Sequence, residues 1–124
     1  MTNENKREIY FTRWFKKDYK ALSRRHVNLS RLKGAFAALV DCDQNTLATK
    51  YRDHALTGQW NGFRELHVDK DLLLVYRISA DSIAVATVRL SNHGALFSKA
   101  TSTRDIKEYL RETQELLDSV SVDI

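Results

Sequence analysis

Apolar positions in the first third of the chain follow first a pattern typical of a strand and then the spacing of a helix. Residues 8–12 form a short stretch rich in β-branched and aromatic side chains, which predicts a strand. From Phe15 to Leu22 the apolar side chains recur at helical spacing, which predicts an amphipathic helix. A second helix is predicted from residue 29 to an end around residues 41–45, with Asn28 as its N-cap. Together these elements predict a strand followed by a helical hairpin.

The rest of the chain predicts strands and one more helix. Residues 44–62 have no clear period and include the turn-forming stretch 57–62, so we expect them to be irregular. Strands are predicted after them, at residues 63–68, 72–79 and 82–90. The continuous apolar run 72–76 is typical of a strand covered on both faces, and the spacing in 103–118 predicts a helix. The element order predicts an α+β fold, in which a small antiparallel or mixed sheet packs against the N-terminal helical hairpin and an extra C-terminal helix follows.

Composition narrows the class of protein. With 124 residues, 43% of them hydrophobic and 29% charged, the chain is expected to form one globular domain. No apolar run is long enough to span a membrane, and the first residues do not resemble a signal peptide, so we expect a cytoplasmic protein with no membrane partner. A single cysteine, Cys42, excludes an internal disulfide and a thiolate zinc site.

Positive charge is concentrated at one end of the chain. Residues 1–34 hold ten Lys and Arg against three acidic residues, and the predicted first helix carries Lys16, Lys17 and Lys20. Such an excess is typical of a protein that binds a polyanion such as RNA. An ordinary solvated helix face has the same composition, so charge alone leaves both interpretations open.

Candidate chemistry lies in the less charged middle of the chain. His54, His67 and His93 fall in or beside the predicted strands, and Asp71 lies across a turn from His67. Two imidazoles can act as general base and general acid near neutral pH, which suits RNA cleavage by attack of the ribose 2′-hydroxyl. A lone histidine is more often structural, and His26 between the first two helices is interpreted that way.

Other side chains could support this chemistry or the fold. Arg64 and Arg77 could stabilise phosphate charge or form ion pairs within strands, and Phe97 and Trp60 could stack on a base, although Trp60 fits a core position better. His67 and Asp71 have the spacing of helical metal ligands, but a strand and a turn do not bring such a pair together. We therefore expect no metal site and no cofactor.

Five ordered motifs resemble the YafQ branch of the RelE/ParE toxin superfamily, over about residues 8–97. The motifs are Phe15-Lys16-Lys17-Asp18-Tyr19-Lys20, Asp53-His54-Ala55-Leu56-Thr57-Gly58-Gln59-Trp60, Phe63-Arg64-Glu65-Leu66-His67-Val68, Asp71-Leu72-Leu73-Leu74-Val75-Tyr76 and Asn92-His93-Gly94-Ala95-Leu96-Phe97. The resemblance implies a RelE-like fold and the toxin of a type II toxin–antitoxin system. Such toxins are endoribonucleases that cleave mRNA in the ribosomal A site without a metal and stop translation.

The resemblance also implies partners and residue roles. It implies a DinJ/RelB-like antitoxin and the 70S ribosome as partners, with the basic first helix on ribosomal RNA. By position His54, His67, Asp71 and His93 match the catalytic group, and Phe97 matches the aromatic residue beside bound mRNA. The preferred division makes His93 the general acid and either His54 or Asp71 the base. Arg64, Arg77, Lys16, Lys17 and Lys20 are the remaining candidates for RNA or phosphate binding.

Two departures from the family pattern leave alternatives open. His54-Ala55-Leu56 stands where relatives usually have His-Pro-Leu, so the loop lacks a rigid proline. The family tends to end soon after the phenylalanine, so residues 1–97 are interpreted as the toxin domain and 98–124 as a helical extension packed on it. That extension could cover apolar surface, alter antitoxin docking or shield the site. A ParE-like toxin that inhibits gyrase, or a homologue that binds antitoxin without cleaving RNA, are the alternative functions.

Overall fold

A computed structural model of the chain describes residues 6–120 and contains one mixed five-stranded sheet. Its strands are β1 (Glu8–Phe11), β2 (His54–Ala55), β3 (Arg64–Asp69), β4 (Leu72–Ile78) and β5 (Ala84–Ser91). They lie in the order β1-β5-β4-β3-β2, with β1 parallel to β5 and every other pair antiparallel. The prediction of an α+β fold with a small mixed sheet is confirmed.

The helices show where the predicted boundaries hold and where they do not. They are α1 (Arg13–Arg24), α2 (Leu32–Val40), α3 (Gln44–Thr49), α4 (His93–Phe97) and α5 (Thr103–Ser119), with a 3₁₀ turn at Gly58–Trp60. The start predicted for α2 is wrong, because the Asn28 side chain accepts a bond from the Ser30 N–H and so forms a local turn. The short α3 and α4 were not predicted.

Each face of the sheet carries its own apolar core. On one face Phe15 of α1 and Leu39 of α2 pack in a cluster with Leu74 and Tyr76 of β4. On the other face Tyr109 of α5 shares a cluster with residues of β4 such as Val75. All of residues 72–76 are buried, as expected for a strand covered on both faces.

The C-terminal helix α5 is attached by hydrogen bonds as well as by packing. Ser102 and Asp105 form a capping box at its start. The Arg77 guanidinium donates to the Leu110 carbonyl at 3.2 Å and to Thr113 Oγ1 at 3.1 Å. Arg77, a predicted RNA-binding residue, therefore ties β4 to α5.

Among residues 6–120 no helix is both long and apolar enough to cross a membrane.

Candidate active site

A cleft of about 420 Å³ lies between β2, β3, the 3₁₀ turn and the start of α4. It brings together three residues predicted to be catalytic, His54, His67 and His93, and the predicted base-binding residue Phe97. Its other lining residues are Leu56, Thr57, Trp60 and Glu65.

Strand register explains why two of the histidines meet. β2 pairs with β3 so that His54 lies opposite Glu65, and side chains two residues apart in β3 share a face. His67 therefore lies on the same face as Glu65, and the rings of His54 and His67 are 6.1 Å apart between centroids. That sheet face is the one that α5 covers further along β4, since His67 pairs with Leu73 and Glu65 with Val75.

His54 is exposed, and one hydrogen bond determines which nitrogen of its neutral ring carries the proton. Its Nδ1 lies 2.9 Å from the carbonyl oxygen of Arg52. A carbonyl can only accept, so Nδ1 carries the proton and donates it. The lone pair of Nε2 is then left available to accept a proton from a substrate.

His67 is less exposed than His54, and both of its ring nitrogens face charged side chains. Its Nδ1 lies 3.4 Å from Nη2 of Arg52, and its Nε2 lies 3.5 Å from a carboxylate oxygen of the buried Glu65. Burial lowers the pKa of His67, and the positive charge of Arg52 lowers it further, against the opposing effect of Glu65. The ring is therefore neutral at pH 7, with the guanidinium donating to Nδ1 and the Nε2 proton facing Glu65.

His93 is held at the first position of α4. Asn92 caps this helix, since its side chain accepts from the Ala95 N–H at 2.8 Å. Asp71 Oδ1 accepts from the backbone N–H of His93 at 3.3 Å. Asp71 does not line the histidine cleft, so its contact with the site passes through this backbone bond.

Two aromatic rings form the wall beside His93. The ring of Phe97 lies 4.9 Å from that of His93, at an interplanar angle of 46°. Trp60 lies 5.7 Å from Phe97 and is 6% exposed. Phe97 is the more accessible of the two and is the ring on which an unstacked base could lie.

The arginines that the sequence favoured as phosphate ligands lie elsewhere. Arg64 is on the opposite face of β3 from His67 and pairs with Asp53 at 2.6 Å, while Arg77 holds α5. The cation that the structure places at a cleft histidine is Arg52, which sequence reasoning missed. Glu65 was also missed, although its position two residues before His67 on a strand was a usable signal.

The three lysines of α1 are exposed and none of them lines the cleft. Lys16 and Lys20 instead border an apolar groove of about 490 Å³. Four aromatic residues line this groove: Phe11, Phe15, Tyr19 and Phe36.

His54, Glu65 and His67 are the residues that could hold a metal ion in the part of the chain that the structure describes. Each offers one ligand atom, and these three atoms lie within 4.8 Å of one another. Two imidazoles and a carboxylate are a common ligand set for transition metals. Asp71, whose spacing from His67 imitates that of helical metal ligands, does not belong to this group.

Comparison with known proteins identifies the family. Residues 7–98 match the model of the bacterial toxin of type II toxin-antitoxin system, YafQ. The mRNA interferase toxin YafQ of Escherichia coli K12 is 33% identical over 93 residues, which cover 73% of this chain and 96% of that protein. The putative toxin YafQ of Haemophilus influenzae is 30% identical over 79 residues, covering 62% of this chain and 76% of that protein.

Solved structures agree with the sequence comparison. The structure of the E. coli DinJ-YafQ toxin-antitoxin complex matches with a TM-score of 0.64 at 31% identity, covering 75% of this chain and 99% of that one. A metal-bound toxin from Helicobacter pylori matches with a TM-score of 0.62 at 38% identity, covering 73% of this chain and 98% of that one. The family match ends at residue 98, so α5 lies outside it. The chain belongs to the YafQ family of bacterial toxins from type II toxin–antitoxin systems.

Proposed function

We propose that this toxin cleaves mRNA on the ribosome by metal-independent acid–base chemistry in the histidine cleft. The observation that carries the proposal is the convergence of His54, His67 and His93 on one cleft beside Phe97. The curated E. coli relative is named an mRNA interferase, which gives the substrate class. In this reaction the 2′-oxygen of a ribose bonds to the adjacent phosphorus while the bond to the 5′-oxygen breaks, leaving a 2′,3′-cyclic phosphate and a 5′-hydroxyl.

His54 is the general base in this proposal. Its Nδ1 donates to the Arg52 carbonyl, so the lone pair of Nε2 can take the proton of the 2′-hydroxyl. Asp71, the other base expected from the sequence, instead accepts the N–H of His93 and supports the start of α4. Asp71 is therefore a positioning residue.

His93 and Arg52 complete the mechanism. His93, in its protonated form, gives a proton to the leaving 5′-oxygen, and Phe97 beside it stacks on a base of the substrate. Arg52 contacts His67, and its positive charge stabilises the phosphorane. The neutral His67 ring contacts this guanidinium through Nδ1 and faces Glu65 through Nε2.

Docking on the ribosome is assigned to α1. Lys16, Lys17 and Lys20 are exposed on this helix, and phosphate contacts from lysines do not require a preformed pocket. Binding through them falls as salt rises, because each contact releases counterions.

The test compares two substrates. Purified toxin is incubated with naked mRNA and with ribosomes carrying the same mRNA, and cuts are mapped by primer extension. Cleavage confined to the ribosome-bound message is expected. Equal cleavage of naked RNA would contradict the ribosomal mechanism. If neither substrate is cut, and expression of the toxin in bacteria still arrests growth, a toxin that acts without cleaving RNA would be favoured.

The antitoxin is assigned to the apolar groove beside α1. Tyr19 is 45% exposed and Phe11 is 37% exposed, although each ring packs against Phe15. Lys16 and Lys20 border these rings, so the groove suits an apolar antitoxin segment with acidic neighbours. An antitoxin bound there would also cover Lys16 and Lys20, which are assigned to the ribosome, and would inhibit the toxin without blocking the cleft.

Replacing Tyr19 with serine is expected to weaken antitoxin binding about 10- to 100-fold, because a large ring leaves the interface. Leu110→Ser is the control, since Leu110 is 38% exposed but lies on α5. Calorimetric titration of each purified toxin with the antitoxin measures the effect. Equal affinities for Tyr19→Ser and wild-type toxin would place the antitoxin elsewhere.

A metal ion bound in the cleft would compete with the substrate proton for a nitrogen of His54. The Helicobacter structure is that of a metal-bound toxin, and His54, Glu65 and His67 offer this chain a comparable ligand set. A metal on Nε2 of His54 would occupy the lone pair that the base needs. Bound metal is therefore proposed to inhibit cleavage.

A further inference from the structure

Helix α5 lies outside the family match, yet it contacts the wall of the cleft. Its Tyr109 is 4% exposed and lies near two tryptophans. The Tyr109 ring is stacked on Trp60, at 6.1 Å between centroids and 29° between planes, and meets Trp14 of α1 edge-on at 4.6 Å. A residue absent from the family pattern thus supports a residue that lines the cleft.

The contact continues from Trp60 to a histidine. Trp60 packs against Phe97 at 5.7 Å, and Phe97 packs against His93 at 4.9 Å. Trp60 belongs to a 3₁₀ turn of three residues, flanked by Gly62 at a φ of 97°. So short a turn has few hydrogen bonds of its own, and its orientation depends on the side chains packed against it.

A second contact joins α5 to the same turn. Thr103 Oγ1 donates to the side-chain oxygen of Gln59 at 2.5 Å. The start of α5 thus bonds to the residue before Trp60, while Tyr109 packs on Trp60 itself.

A polar contact adds to this packing at the hydroxyl end of Tyr109. Arg89 Nη1 donates to the Tyr109 hydroxyl at 3.0 Å, and Arg89 is itself bonded to Asp18 of α1 at 2.6 Å. The ring is therefore held by a polar bond at one end and by aromatic packing on Trp14 and Trp60.

We propose that Tyr109 is a positioning residue for the cleft, whose ring holds Trp60 and, through it, Phe97 and His93. The C-terminal helix α5 then positions residues of the active site in addition to packing on the sheet. This inference rests on the proposed function of the cleft. Since small displacements of a reacting group lower the rate strongly, loss of the ring should lower kcat about 10- to 100-fold. KM should stay near its wild-type value, because the lysines of α1 are untouched.

The test uses three variants of the full chain. Tyr109→Leu removes the ring, Tyr109→Phe keeps the ring and removes only the hydroxyl, and Leu117→Ala loosens α5 at its other end, where it packs on Ala84 and Ala86. For each variant kcat and KM are measured on ribosome-bound mRNA, well below its melting temperature. The NMR shift of the His93 ring proton Hε1 gives a readout independent of activity, because the Phe97 ring lies beside it.

Tyr109→Leu is expected to lose kcat and shift the His93 resonance, while Tyr109→Phe recovers most of both and Leu117→Ala changes neither. A wild-type kcat in Tyr109→Leu would overturn the inference, as would an equal loss in Leu117→Ala. If the wild-type toxin cleaves nothing, the proposed function fails. The His93 resonance then still decides whether Tyr109 positions this wall.

Discussion

Replacing His54 or His93 with asparagine is expected to lower cleavage of ribosome-bound mRNA by about 10²- to 10⁴-fold, the usual range for loss of a general acid or base. In His54→Asn the new amide can still donate to the Arg52 carbonyl, as Nδ1 does at 2.9 Å, so the loop keeps its bond and loses only the Nε2 lone pair. In His93→Asn the proton donor for the leaving oxygen is lost.

His26→Asn is the matched control for both variants. His26 is exposed, does not line the cleft and has a φ of 58°, a left-handed conformation that asparagine tolerates. Single-turnover cleavage on programmed ribosomes, mapped by primer extension, measures all three proteins. Retention of wild-type rates in His54→Asn would remove His54 as the base, and equal rates in His93→Asn and His26→Asn would remove His93 as the acid.

Substitutions of Asp71 distinguish between the two candidates for the general base that the sequence left open, His54 and Asp71. Asparagine at this position keeps an oxygen that can accept the His93 N–H, whereas alanine does not. If Asp71 is a positioning residue, the cleavage rate of Asp71→Asn should lie within about threefold of the wild-type rate. The rate of Asp71→Ala should be lower, since α4 loses a bond at its first residue. A loss in Asp71→Asn as large as in His54→Asn would make Asp71 the base.

Long periodic segments could be predicted from the sequence, and short ones could not. The amphipathic period of α1 and the apolar run of β4 persist over enough residues to identify each element. The six residues of α3 and five of α4 complete fewer than two turns, so no period is visible in them. The start of α2 was predicted wrongly because Asn28 serves a local turn as well as it serves an N-cap.

The same limit applies to the candidate site. The family motifs predicted the three histidines that share the cleft, but not the partners of the arginines. Arg64 bonds to Asp53, eleven positions away, and Arg77 bonds to acceptors on α5 more than thirty positions away. Such partners depend on tertiary packing. The division at residue 97 stays a prediction. The burial of Ile106 and Leu117 shows only that α5 packs on the rest of the chain.

Copper(II) or zinc(II) is expected to inhibit cleavage at least tenfold once it saturates the cluster of His54, Glu65 and His67. The three ligand atoms lie within 4.8 Å of one another, and a metal bound to them would take the lone pair of His54. Treating the purified toxin with EDTA, which is removed before the ribosomes are added, should leave the cleavage rate unchanged, because no step of the proposed cleavage uses a metal.

Glu65→Gln separates metal binding from cleavage. Glu65 is 4% exposed and supplies the only carboxylate of the cluster, so an amide there should weaken metal binding about 10- to 100-fold. The amide oxygen can still face the Nε2 proton of His67, so cleavage without metal should stay within about fivefold of the wild type. Asp71→Asn is the control, since Asp71 is acidic but outside the cluster. Calorimetry gives the affinity for metal and primer extension gives the cleavage rate. Loss of cleavage by the EDTA-treated toxin, or undiminished inhibition of Glu65→Gln by metal, would contradict the competition.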